Sequence, residues 1–183
     1  MNNVVYFSPE TFAEAVDILT EQEGARVLAG GTDLIAKWKK SGCFDMKLVD
    51  IRKISELKRI QAFPEGLFVG AGVSMAEIHE SPEVIRKYPI LAEAAGKVGS
   101  AQIRNMATIG GNACNAAPSA DTVLPLIAYQ AQVLIGSKFG ERKTNFRDFF
   151  VGPGKSILER GSILKRPACC CAICRSIYRP GRF

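Results

Sequence analysis

The chain has 183 residues, 47% hydrophobic and 23% charged, which is enough for a core without disulfide or metal staples and too apolar for a disordered chain. Its formal charge of +6 does not point to a nucleic-acid partner, because residues 160–183 hold six Lys or Arg and no acid, leaving the preceding 159 residues formally neutral. No window approaches the roughly 20 apolar residues of a membrane span, and the N-terminus lacks a basic leader with an apolar core, so a cytoplasmic protein is expected.

"VVYF" reads as a short opening strand. Ser8 is expected to cap the helix that follows, with Pro9 at its first position. Phe12, Ala15, Val16 and Leu19 recur at helical spacing as far as Gln22. Gly24 ends this helix and "ARVLAG" returns as a buried strand. "GTDL" turns directly into a second helix through "IAKWKK", with Trp38 half-buried and the lysines at solvent. "MKLVDI" completes a β-α-β-α-β run with Gly30 and Gly31 at a strand-to-helix turn.

From Glu56 the pattern changes. "LKRIQAF" and "GLFVGAG" predict an antiparallel pair around a Pro64-Glu65-Gly66 turn. Ser74 caps a short helix through Ile78, Pro82 opens a second, and "PILAEAAGKVG" forms a third with Leu91, Ala94, Ala95 and Val98 on one face. "NMATIGGNACNAAPSAD" reads as a loop. "DTVLPLIAYQA" is helical to Tyr129, with Ser119 or Asp121 as its cap. "QVLIGS" and "RKTNF" predict another strand pair, and "DFFVGPGKSIL" a loop whose "SIL" starts a strand. The fold class is α+β. A small α/β lobe covers residues 1–55, a larger α+β lobe residues 56–165, and an atypical Cys/Arg-rich tail residues 166–183.

Of six cysteines, Cys43 and Cys114 stand alone, while Cys169, Cys170, Cys171 and Cys174 crowd the tail. Cys171 and Cys174 form a CxxC, a spacing used for metal ligation and for dithiol cycling. No second pair stands at metal-finger spacing, so no metal site is expected.

Two glycine pairs carry the chemistry. In "LAGGTDL", glycines after a strand let the chain bend sharply and expose backbone N–H groups. A helix starting at Thr32 or Asp33 aims its positive end at the same place, the recipe for holding a phosphate or pyrophosphate. Thr32 adds a hydroxyl. Asp33 would repel phosphate and reads as the helix cap. The pattern fits neither G-x-G-x-x-G nor the P-loop, so a plain tight turn competes with the anion cradle. "TIGGN" repeats the logic, with flexible backbone at Gly110 and Gly111, an amide at Asn112 and a hydroxyl at Thr108. The Asp121 carboxylate is suited to accept from a ribityl or ribose hydroxyl. Two such loops favour an extended dinucleotide, which needs several separate contacts.

No catalytic residue is expected. His79, the one histidine, lies outside both loops and reads as a surface or capping residue, and Cys114 has no histidine near it in sequence. Arg104 fits a phosphate counter-charge and a surface position equally well.

"LAGGTDL", followed by "IRNMATIGGNACNAAPSAD" and then "VGPGKS", resembles the FAD-binding medium subunit of the molybdenum hydroxylases, of xanthine dehydrogenase and carbon-monoxide dehydrogenase type. The resemblance runs from the start to about Leu164 and is strongest to bacterial xanthine dehydrogenase FAD subunits. It implies a flavoprotein with the two-lobed FAD-binding fold of the vanillyl-alcohol oxidase (PCMH) type, with FAD between the lobes. It implies that Val27, Leu28, Ala29, Gly30, Gly31, Thr32, Asp33 and Leu34 wrap the pyrophosphate from the small lobe. Thr108, Ile109, Gly110, Gly111 and Asn112 approach from the larger lobe, and Asp121 holds a sugar or ribityl hydroxyl. Val98 packs near the cofactor and Leu164 lines the isoalloxazine.

By the same resemblance the chain is an oxidoreductase subunit whose activity needs partners. A large molybdopterin-binding subunit oxidises the substrate, a small 2Fe-2S subunit carries the electrons, and FAD delivers them to NAD or another acceptor. Relatives continue after "GPGKSIL" into a C-terminal α/β lobe that the tail does not resemble, so weaker FAD binding or an incomplete ring pocket is expected. The rival readings are a truncated, non-catalytic assembly scaffold that keeps the partner surface, and a free-standing flavin oxidase or reductase.

Overall fold

The computed structural model describes residues 4–41, 45–64 and 66–170. Cys43, Glu65, Cys171 and Cys174 lie outside these residues, and with them the CxxC.

The chain opens with β1 (Val4–Phe7), α1 (Phe12–Glu21), β2 (Ala25–Leu28), α2 (Leu34–Ser41) and β3 (Met46–Asp50). The cap of α1 is Thr11, not Ser8. Its hydroxyl accepts from the Glu14 amide at 3.2 Å while the Glu14 carboxylate accepts from the Glu10 amide at 3.0 Å. This reciprocal pair satisfies two amides at the helix start, which Ser8 followed by Pro9 does not. The three strands are parallel in the order β1-β3-β2. Ala15, Val16 and Leu19 of α1 bury against Val49, Ile51, Ile54 and Leu57. Leu57 follows the expected division after residue 55 yet packs with the first unit.

At the C-terminal end of this sheet the Asp50 carboxylate is buried and accepts from the Arg52 guanidinium at 2.6–3.0 Å and from the Tyr6 hydroxyl. Burial works to raise its pKa, but the hydrogen bonds from Arg52 and Tyr6 outweigh it and hold the carboxyl below the ordinary Asp value.

The second unit is built on β4 (Ile60–Phe63) and β5 (Gly66–Val69). A helical stretch follows: α3 (Met75–Glu80), α4 (Pro82–Lys87), α5 (Pro89–Lys97), α6 (Ala101–Met106), α7 (Ile109–Asn115) and α8 (Val123–Ala128). Then come β6 (Gln132–Ser137), β7 (Gly140–Asn145), the short hairpin β8 (Phe150–Gly152) and β9 (Lys155–Ser156), and finally β10 (Ile163–Cys170). The antiparallel sheet runs β4-β5-β10-β6-β7. Ser74 caps α3 in a full capping box with Glu77. On α5 the buried residues are Leu91, Ala92 and Ala95, so Ala92 takes the core position expected of Ala94. No helix among the described residues is long and apolar enough to cross a membrane.

Two expectations are corrected. Residues 105–121 are not a loop: most of the segment's first half is helical, in α6 and α7. The cap position of α8 is Thr122, not Ser119 or Asp121, and the Thr122 hydroxyl donates to Asn112 Oδ1 at 2.6 Å. Ser156, expected at a strand start, lies in the two-residue strand β9, while Ile157 and Leu158 are outside any strand; the next strand, β10, begins at Ile163 and carries the sheet past residue 166, where the composition changes.

The two units meet along β10 and β6. Ile163 buries in the first hydrophobic cluster and its neighbour Leu164 in the second, as alternate strand residues must when each face is covered. The Phe12 ring lies against Gly136, where an added Cβ would sit 2.4 Å from the ring. Lys165, at a register shift in β10, pairs with Glu141 at 2.9 Å and Glu56 at 3.3 Å and lies 4.6 Å over Phe12.

Candidate functional site

The β2–α2 turn is shaped by two glycines with different duties. Gly31 has φ +74, the left-handed region where a Cβ is strained. Gly30 touches the other unit: an ideal Cβ there would fall 1.9 Å from the Met106 carbonyl oxygen, at the end of α6. Helical bonding of α2 begins with Ile35 N–H donating to Gly31 O at 3.0 Å and Lys37 N–H to Asp33 O at 2.9 Å. The amides of residues 30–34 meet no acceptor among the described residues. A run of unpaired N–H groups at a helix start is a fixed positive edge.

α7 starts differently. Thr108 is its N-cap, with its hydroxyl accepting from Gly111 N–H at 3.1 Å. Ile109 N–H donates to Val73 O at 3.0 Å and Gly110 N–H to Ala71 O at 2.9 Å. The amides that "TIGGN" offers a phosphate in the sequence reading are therefore committed to protein acceptors. A Cβ on Gly110 would lie 2.5 Å from the Ala71 side chain, so this glycine allows α7 to seat on the end of β5. What Gly110 and Gly111 present is a surface free of side chains. Asn112, its Oδ1 held by Thr122, keeps its amide nitrogen uncommitted among the described residues.

Between these two starts lies a cavity of about 390 Å³, within the size range of small-molecule sites. Val27, Ala29, Gly30, Gly31, Thr32, Asp33 and Leu34 line it from one side, and Thr108, Gly110, Gly111 and Asn112 from the other, with Val98 and Leu164. Three residues of the sequence reading lie outside the lining. Leu28 and Ile109 are core residues, and Asp121 is exposed. Other lining residues were not singled out from sequence: Arg26, Lys37, Ile51, Ala71, Ile103, Ala107, Asn115, Gly154, Leu158, Ser162 and Ile163. Of these Gly154 carried a signal, since "VGPGKS" contains it. Its amide donates to Ala116 O at 2.8 Å, tying the β8–β9 hairpin to the end of α7.

Among the described lining residues Arg26 and Lys37 are basic and Asp33 is the one acid. Cys114 also lines the cavity, and burial pushes its thiol up to about 12, far from a nucleophilic thiolate at neutral pH. Arg104 donates to Gly99 O at 3.0 Å and so fastens the turn beside Val98. His79 Nδ1 lies 3.0 Å from Ala92 O, away from the cavity. A dinucleotide's diphosphate suits the open amides of residues 30–34, and a flat ring suits the apolar lining residues Ile51, Val98, Leu158 and Leu164. The residues present fit FAD.

Residues 2–166 match the family described as FAD binding domain in molybdopterin dehydrogenase. The chain belongs to that family. Its fold is the α+β FAD-binding fold of the family's solved members. It is 36% identical over 160 residues to the xanthine dehydrogenase FAD-binding subunit of Escherichia coli O157:H7, covering 87% of this chain and 55% of that protein. Among solved structures it is similar to the Cu,Mo-CO dehydrogenase, with TM-score 0.88 and 31% identity, covering 93% of this chain and 60% of that one. Quinoline 2-oxidoreductase from Pseudomonas putida 86 superposes with TM-score 0.89 at 29% identity, with the same coverage of 93% and 60%. The chain thus spans a little over half the length of the curated relatives it matches.

Proposed function

We propose that this chain is the FAD-binding, electron-transferring subunit of a molybdenum-containing hydroxylase of xanthine dehydrogenase type. The observation that carries the reading is the cavity with open amides of residues 30–34 on one wall and the bare glycine surface of α7 on the other. In this reading residues 1–55 and 56–165 act as two lobes of a PCMH-type fold with FAD between them, and β10 runs on from the second lobe into the Cys/Arg-rich residues that begin at 166.

The amides of Gly30, Gly31, Thr32, Asp33 and Leu34 hold the diphosphate, with Val27, Leu28 and Ala29 setting the strand end that aims them. Thr108 and Ile109 fix the start of α7, so that Gly110 and Gly111 allow close approach and Asn112 donates its free amide. Val98 and Leu164 pack against the ring. Asp121, outside the cavity lining, accepts from a ribityl or ribose hydroxyl of a ligand that reaches past the cavity. Bound FAD would supply the redox chemistry, accepting electrons from a small 2Fe-2S partner and passing them to an acceptor such as NAD. A large molybdopterin subunit would oxidise the organic substrate. The protein works in the cytoplasm.

Affinity purification of the tagged chain from its native host tests the reading. Co-purification of a large molybdopterin chain and a 2Fe-2S chain, with flavin absorbance in the complex, supports it. A colourless complex containing the same partners indicates an assembly scaffold instead, and flavin-dependent turnover by the chain alone indicates a free-standing enzyme.

A further inference from the structure

We infer that Lys37 retains the cofactor: in the free cavity it bridges α2 to α7 through Asn115, and when the ligand is bound it leaves Asn115 and supplies the cation that meets the diphosphate. This inference rests on the FAD reading above.

Lys37 stands one turn into α2, with its amide bonded to Asp33 O at 2.9 Å. Helix side chains lean toward the N-terminus, so its stem runs back toward the open amides of residues 30–34. Its ammonium donates to Asn115 Oδ1, the side chain of the last residue of α7 and 78 positions away in sequence. Both residues line the cavity. One belongs to the parallel unit and the other to the helical layer of the second unit, so the bond crosses from wall to wall. It is solvent-exposed, and an exposed pair of this kind contributes little to fold stability.

The partner is a neutral amide, and this makes the bridge exchangeable. A diphosphate in the amide cradle competes for the same ammonium with charge-assisted bonds about twice as strong as neutral ones. Lys37 also offsets Asp33, the acid of the lining, which would otherwise weaken the anion site. One side chain thus has two partners: Asn115 when the cavity is free, and the diphosphate when the ligand is in place.

The test compares the full chain with Lys37→Met, Lys37→Arg, Asn115→Leu and the Lys37→Met/Asn115→Leu double variant. FAD affinity is read by fluorescence titration and FAD release by fluorescence recovery on dilution, each at low and high salt. Lys37→Met is expected to release FAD roughly threefold to tenfold faster at low salt, with a smaller difference at high salt. Far-UV circular dichroism and the melting curve should be unchanged. Lys37→Arg should restore slow release, and the double variant should be no worse than Lys37→Met alone. Wild-type FAD binding with unchanged affinity and release in Lys37→Met, or Lys37→Arg behaving like Lys37→Met, overturns the role of Lys37 while leaving the flavin reading intact. Failure of the wild-type chain to bind FAD overturns both.

Discussion

The backbone of Gly30 lies so close to Met106 that an added Cβ would stand 1.9 Å from the Met106 carbonyl oxygen. The two glycine motifs, far apart in sequence, are thus joined by a contact between the turn after β2 and the end of α6. A side chain at Gly30 must push the two units apart. Gly30→Ala is expected to cost about 1–3 kcal/mol of stability, as overpacking does, and to lose FAD binding with it. Urea unfolding followed by circular dichroism measures the first effect, and wild-type stability in this variant contradicts the contact.

Gly111 should behave differently. It is helical, and beyond its chain neighbours and its own helix backbone an added Cβ meets only the Thr108 hydroxyl, at 3.0 Å. Gly111→Leu is expected to keep the fold within about 1 kcal/mol, because a helical glycine is itself unfavourable. It should nevertheless lose FAD, because the side chain enters the cavity. A large stability loss here would mean that Gly111 serves packing and not ligand approach.

The parallel unit was legible in the sequence. Strand runs and a 3.6-residue period separate β1, α1, β2, α2 and β3 cleanly, and the Gly30-Gly31 turn falls where strand gives way to helix. α7 was not legible, because "IGGNACN" has the composition of a loop. Tertiary acceptors decide it: Val73 O and Ala71 O take the first two amides, the Thr108 hydroxyl takes the third, and the helix forms despite poor propensity. Thr11 displaced Ser8 as a cap because Glu14 stood three residues on. Lys37, Asn115 and Arg26 were missed at the cavity because their placement there depends on how distant elements pack, which no local spacing records.

Asp50 makes stability depend on pH in a known direction. Its folded pKa lies below the ordinary value, so its contribution is present above the unfolded value of about 3.9 and is lost as pH falls through the folded value. Asp50→Asn is expected to cost about 1–3 kcal/mol at neutral pH, the modest end for a buried carboxylate because Arg52 is half-exposed. The difference between wild type and variant should shrink below pH ~4. Urea midpoints measured from pH 3 to pH 7 check this, and a constant difference across that range contradicts it.

Cys114 gives the opposite sign. Its thiol is raised to about 12, so the neutral form is favoured in the fold. Its contribution is complete below the unfolded value of about 8.5 and fades as pH rises from there toward the folded value. At pH 8 in native protein, iodoacetamide should label Cys114 far more slowly than in urea, read by peptide mass spectrometry. Equal rates would place the thiol in a solvated environment.

We propose that the amide cradle after β2 and the bare start of α7 together hold FAD. Titration of the purified, flavin-stripped chain with FAD, followed by flavin fluorescence, tests it most directly. Saturable binding of one FAD per chain is expected, abolished in Gly111→Leu at unchanged circular dichroism. Folded wild-type protein that leaves FAD fluorescence unaltered throughout the titration, with no flavin retained on gel filtration, contradicts it.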